Sequence, residues 1–102
     1  DQGDGLVGSE MCIRDSSWRL VIREAGISMR SMAAPVEIEF PAPRMSGQPP
    51  HVAFEAAGPD SGIRISLERR RCIDTMSGAR YAWAADIDID GRHLEGCAAE
   101  GL

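Results

Sequence analysis

The run Tyr81-Ala82-Trp83-Ala84-Ala85-Asp86-Ile87-Asp88-Ile89-Asp90-Gly91-Arg92-His93-Leu94 reads as a strand, a two-residue turn and the start of a returning strand. Tyr81, Trp83, Ala85, Ile87 and Ile89 share one face and Ala82, Ala84, Asp86 and Asp88 the other, and a period of two is the signal of a half-buried strand. Asp90-Gly91 supplies the turn, because a type I′ hairpin needs positive φ at both central positions and Asp-Gly tolerates it. The turn fixes the register. Ile87 then faces Leu94, and Asp88 faces His93 as a cross-strand polar pair.

The same period recurs towards the N-terminus. Ile63, Ile65 and Leu67 alternate with Arg64, Ser66 and Glu68; Val52, Phe54 and Ala56 form another inward stripe, ended by the turn residues Gly58-Pro59-Asp60. Val36, Ile38 and Phe40 alternate with Glu37 and Glu39, and Trp18, Leu20 and Ile22 oppose Arg19, Val21 and Arg23. A short strand is expected over Ile27 to Arg30. Helix competes over residues 27 to 34, but Gly26 and Pro35 leave it only about two turns. Pro41 to Pro50 carries four prolines and is expected to be a loop, since proline cannot donate to a ladder. About seven short strands describe an all-β fold, a small antiparallel barrel or sandwich. A closed barrel is favoured because closure removes exposed edges.

Within 102 residues the chain holds two Trp, one Tyr and two Phe, a thin supply for a core. The stretch Gly8-Ser9-Glu10-Met11-Cys12-Ile13-Arg14-Asp15-Ser16 resembles a translated sequencing-adapter peptide of the kind found at the ends of metagenomic reading frames. Residues 1–16 are therefore expected to be a non-native, disordered segment, leaving 17–102 as a single β domain and any signal peptide or lipid-attachment cysteine lost. Setting aside Asp1, Asp4, Glu10, Asp15 and Arg14 leaves 12 acids and 10 arginines, so the net charge falls from −5 to −2. It also removes Cys12. The remaining pair, Cys72 and Cys97, favours a disulfide and an oxidising compartment, against the alternative of two free buried thiols in a cytosolic protein. On strict alternation both thiols face away from the core, which suits a bridge unless a bulge intervenes.

All eleven basic residues are Arg, which excludes lysine Schiff-base chemistry. Beyond Arg69-Arg70-Arg71 there is no basic cluster, so no nucleic-acid partner is expected. Asp86-Ile87-Asp88-Ile89-Asp90-Gly91 matches the opening of an EF-hand loop, but the twelfth position is Cys97 instead of Glu and the eighth is His93. His51, His93, Cys72 and Cys97 lack zinc-ligand spacing. No metal or cofactor is expected. Ser77 and Cys72 lack a nucleophile context, so the chain is read as non-enzymatic, with hydrolysis by Ser77 or His93 as the alternative.

Cys72-Ile-Asp74-Thr-Met76-Ser77-Gly78-Ala-Arg80-Tyr81, followed by Gly91-Arg-His-Leu94-Glu-Gly96-Cys97-Ala98, resembles a family of small bacterial envelope proteins often labelled lipoproteins. Their pattern is C-x-D-x-M-S-G-x-x-Y, a strand, then G-x-x-L-x-G-C-A, and Trp18-Arg-Leu20-Val-Ile22 looks like their first strand. The resemblance implies export to the periplasm or attachment to the outer membrane, a Cys72–Cys97 disulfide, and membrane contact only through a lost lipid anchor. It brings no established activity. Ser77-Gly78-Ala79-Arg80-Tyr81 is also similar to the Ser-Gly-x-x-Tyr loop of membrane-bound inhibitors of c-type lysozyme, although their Trp-x-Lys-Gly segment is missing. The expected role is thus a monomeric envelope module that binds an unidentified protein or ligand, lysozyme being the alternative. Asp74, Met76, Ser77, Gly78, Arg80 and Tyr81 form the expected partner loop.

Overall fold

The computed structural model describes residues 10–15, 18–31, 37–59, 61–74 and 77–100. They carry β1 (Met11–Arg14), β2 (Trp18–Arg23), β3 (Gly26–Ser31), β4 (Glu37–Phe40), β5 (Arg44–Gln48), β6 (His51–Ala57), β7 (Gly62–Ile73), β8 (Arg80–Ile89) and β9 (Arg92–Glu100). All nine join one antiparallel sheet in the order β4-β3-β2-β1-β9-β8-β7-β6-β5. The sheet curls into a half-barrel around a single core.

The alternating stripes supply that core. Trp18, Leu20 and Ile22 from β2, Phe54 from β6, Ile63, Ile65 and Leu67 from β7 and Trp83, Ala85, Ile87 and Ile89 from β8 are all buried. Burying apolar surface at about 25 cal/mol per Å² is the main force holding so small a domain together. Trp83 is covered at one end by Arg69, whose guanidinium carbon lies 5.1 Å from the ring centroid. The β8–β9 hairpin has the expected register, with Ile87 opposite Leu94 and Asp88 opposite His93. Its turn has φ of 50° at Asp90 and 82° at Gly91, as type I′ requires. Residues 26–31 form a strand, so the competing helix is not adopted there.

Two expected non-strand segments are strands. Met11–Arg14 pairs with both β2 and β9, and Met11 and Ile13 are buried. The expected disorder of residues 1–16 is therefore wrong for these four, whose Met-x-Ile alternation places two large side chains in the core; residues 1–9 and 16 lie outside the described residues. Arg44–Gln48 pairs with β6 inside the expected Pro41–Pro50 loop. Its prolines flank the strand and leave its own N–H groups intact, with Pro49-Pro50 as the turn into β6. These two strands raise the count from about seven to nine. β7, with 12 residues, is the longest of them.

Among the described residues, full closure through backbone pairing is also not found. β4 and β5 are the two ends of the strand order. Passing from one to the other crosses eight antiparallel pairings, an even number, so β4 and β5 run in the same direction. Only Pro41-Ala42-Pro43 separates them, and four Cα steps reach roughly 14 Å at most. The edges are therefore held close, and one extended passage leaves β3 and joins β6 where two prolines lack donors. Each edge strand carries one inward residue left open by the missing neighbour. Ile38, opposite Met29, is 42% exposed, and Met45, opposite Phe54, is 44% exposed.

Candidate functional site

The outer face of β7, β8 and β9 concentrates the polar and covalent features of the chain. Cys72 and Cys97 form the disulfide, and Cys12 is a free, half-buried thiol. In strand order β8 lies between β7 and β9, and two strand spacings amount to roughly 9.5 Å. The Cα atoms of Cys72 and Cys97 are nonetheless only 5.6 Å apart. The end of β7 must therefore swing over the outer face of β8.

A bulge provides the swing. Arg69 faces Trp83 and Cys72 faces Tyr81, so Arg70 and Arg71 together oppose Ala82 alone. An extra residue bends its strand and increases the local twist. Cys97 neighbours Ala98, a core residue, and pairs with Ala84, so it points away from the core. It is still buried, because the folded-over end of β7 covers it. Strict alternation sets both thiols on the outer face; the bulge does intervene and places Cys72 opposite Tyr81, a residue of the expected inward stripe, so only the crossing brings it to Cys97.

Beyond Cys72 the chain makes the loop that joins β7 to β8. The Gly78 N–H donates to the Asp74 carbonyl at 2.7 Å, and the Asp74 N–H donates to the Ala79 carbonyl at 2.9 Å. The Ser77 hydroxyl donates to Asp74 Oδ2 at 2.7 Å and accepts from the Ala79 N–H at 3.2 Å. Gly78, at φ 76°, occupies a left-handed conformation that a side chain would strain. Ser77, Gly78 and Arg80 are exposed, and Tyr81 is half-buried opposite Cys72 instead of fully in the core. Met76 lies outside the described residues. A groove of about 360 Å³ beside the bridge is lined by Arg14, Arg70, Asp74, Asp86 and Glu95 among others. Ser77 is not in its lining, and its hydroxyl contacts are to Asp74 and Ala79.

Further along the same face, His93 Nδ1 lies 2.9 Å from Asp88 Oδ1, and His93 Nε2 lies 3.5 Å from Asp86 Oδ1 and 3.6 Å from Glu95 Oε2. The Asp88 pair follows from the Asp90-Gly91 turn. Asp86 opposite Glu95 follows from the same register, a step the sequence reading did not take. The structure brings His93 to three carboxylates and Ser77 to Asp74.

The hydrogen bond to Asp88 holds the His93 pKa above its ordinary value; desolvation opposes this, and the charges of Asp88, Asp86 and Glu95 reinforce it. Across from Asp88 and Asp86 on β7 stand Arg64 and Ser66. A raised folded-state pKa stabilises the hairpin below the ordinary histidine range, and that contribution is lost as pH rises through the raised value. In a proton NMR titration the His93 midpoint is expected to lie above the ordinary value and to fall in Asp88→Asn. An unchanged midpoint in that variant would rule out the bond as the cause.

The chain matches no protein-family model, no curated protein and no solved structure.

Proposed function

We propose that the chain is a non-enzymatic, extracytoplasmic binding domain that presents Asp74, Met76, Ser77, Gly78, Arg80 and Tyr81 to a partner in the bacterial envelope. The supporting observation is the internal bonding of the described loop residues: four hydrogen bonds link Asp74, Ser77, Gly78 and Ala79, and the Cys72–Cys97 bridge anchors the base of the loop. A loop already in its bound shape loses little conformational entropy on association, so more of its contact energy appears as affinity. The bridge itself favours an oxidising compartment. In this reading the hydroxyl that Ser77 donates to Asp74 shapes the loop, as Asx and Ser turns do.

A photo-crosslinking side chain placed at Arg80 should yield a discrete protein adduct in envelope fractions, whereas one at Val21, on another face, should not. Equal labelling from both positions, or none from Arg80, would count against the loop. A second reading is inhibition of c-type lysozyme, favoured by the exposed Ser77-Gly78 step with Gly78 at φ 76°. Undiminished lysozyme turnover at micromolar domain removes that reading and leaves the first standing.

A further inference from the structure

We propose that the outer face of the β8–β9 hairpin binds a divalent first-row transition-metal ion through His93 Nε2, Asp86 and Glu95. The Nδ1 to Asp88 contact of 2.9 Å places the ring proton on Nδ1 in the neutral imidazole, because a carboxylate can only accept. Nε2 then presents a lone pair to the side where Asp86 and Glu95 stand. A carboxylate holding the far nitrogen in this way is the usual support of a metal-binding histidine.

The distances agree with that role. At 3.5 and 3.6 Å the Nε2 to oxygen separations are too long for good hydrogen bonds. Around a tetrahedral ion with bonds of about 2.1 Å, neighbouring ligand atoms stand about 3.4 Å apart. The three donor atoms all lie within 4.8 Å of one another. Small side-chain adjustments complete the set, and water can take the fourth position because all three residues are exposed.

The backbone and the charges point the same way. Asp86 is directly opposite Glu95 and Asp88 directly opposite His93, so the four side chains form a square whose register is fixed by the Asp90-Gly91 turn. Two carboxylates directly opposed in a sheet repel one another. Among the described residues, His93 is the cation in ion-pair contact with both, while Arg70 pairs with Glu68 and Arg64 with Glu55. A bound cation relieves this repulsion, and one nitrogen with two carboxylate oxygens suits zinc or its neighbours better than calcium. The site uses no residue of the Asp74–Tyr81 loop, so it stands or falls independently of the binding role.

Zinc titrated into the full chain at pH 7.5, followed by calorimetry and by the histidine ring resonances, tests the assignment. One equivalent is expected to bind and to perturb the His93 ring. Affinity should fall at least tenfold in His93→Gln and in Asp86→Asn, while His51→Gln, which alters the separate pair with Glu68, should bind as the parent does. Absence of zinc binding by the parent overturns the proposal, as does undiminished binding by His93→Gln. Calcium binding as tightly as zinc would also overturn it, because the histidine would then contribute nothing.

Discussion

Ile13→Ala is expected to destabilise the domain by about 2–5 kcal/mol, the usual cost of truncating a fully buried aliphatic side chain. Ile13 has no solvent exposure, so the lost methyl groups leave a cavity in a core too small to collapse around it. Its strand magnifies the effect. β1 is the hydrogen-bonded link between the three strands β4-β3-β2 and the five strands β9-β8-β7-β6-β5. Weakening it exposes two new edges, on β2 and β9. Arg14→Ala, at the exposed end of the same strand, should change stability by no more than about 0.5 kcal/mol. Urea denaturation followed by tryptophan fluorescence suits the comparison, because Trp18 and Trp83 are both buried. If Ile13→Ala melts with the parent, Met11–Arg14 is not part of the solution fold, and the reading that sets residues 1–16 apart regains its ground.

That experiment falls on the segment that sequence reasoning handled worst. Met11-Cys12-Ile13-Arg14 shows the same alternation as Trp18 to Ile22, but resemblance to an adapter peptide took it out of the count before its pattern was weighed. β5 was hidden for a different reason. Arg44-Met45-Ser46-Gly47-Gln48 is exposed throughout, so no inward stripe marks it, and only pairing with β6 reveals it. The half-barrel depends on the directions of all nine strands, which no local pattern carries. By contrast, the inward stripes of β2, β6, β7 and β8 were legible because burial follows the alternation, with only Ala56 and Tyr81 half-buried at their ends, and the hairpin was legible because Asp-Gly fixes a register. The Asp88–His93 pair came with that register. Its extension to Asp86 and Glu95 needed only a two-residue step along the same ladder, and was missed because the acids were read as an incomplete calcium loop.

The double variant Cys72→Ala/Cys97→Ala is expected to lose about 3 kcal/mol, the chain-entropy value for releasing a loop closed across a sequence separation of 25 residues. For a domain of this size that corresponds to a fall of roughly 12–24 °C in Tm. The parent treated with a reductant should melt at a similar temperature. Thiol titration of the denatured, unreduced parent should count one thiol per chain, Cys12, and three after reduction, since the other two are bridged. Coincident melting curves with and without reductant would remove the bridge as a source of stability. The consequence is local as well as global. Beyond its bulge, β7 no longer lies at strand spacing from β8 alone but crosses towards β9, and the bridge is the covalent tie at that crossing. Without it, Cys97 loses its cover and the Asp74–Tyr81 loop loses a fixed base, so amide exchange in residues 77–80 should accelerate more than in the core of β8. Ser77→Ala removes only the loop's own side-chain hydrogen bonds, and should loosen the same amides while leaving Tm within about 2 °C. The two variants therefore separate the stiffness of the loop from the stability of the fold, the distinction on which a preorganised binding surface rests.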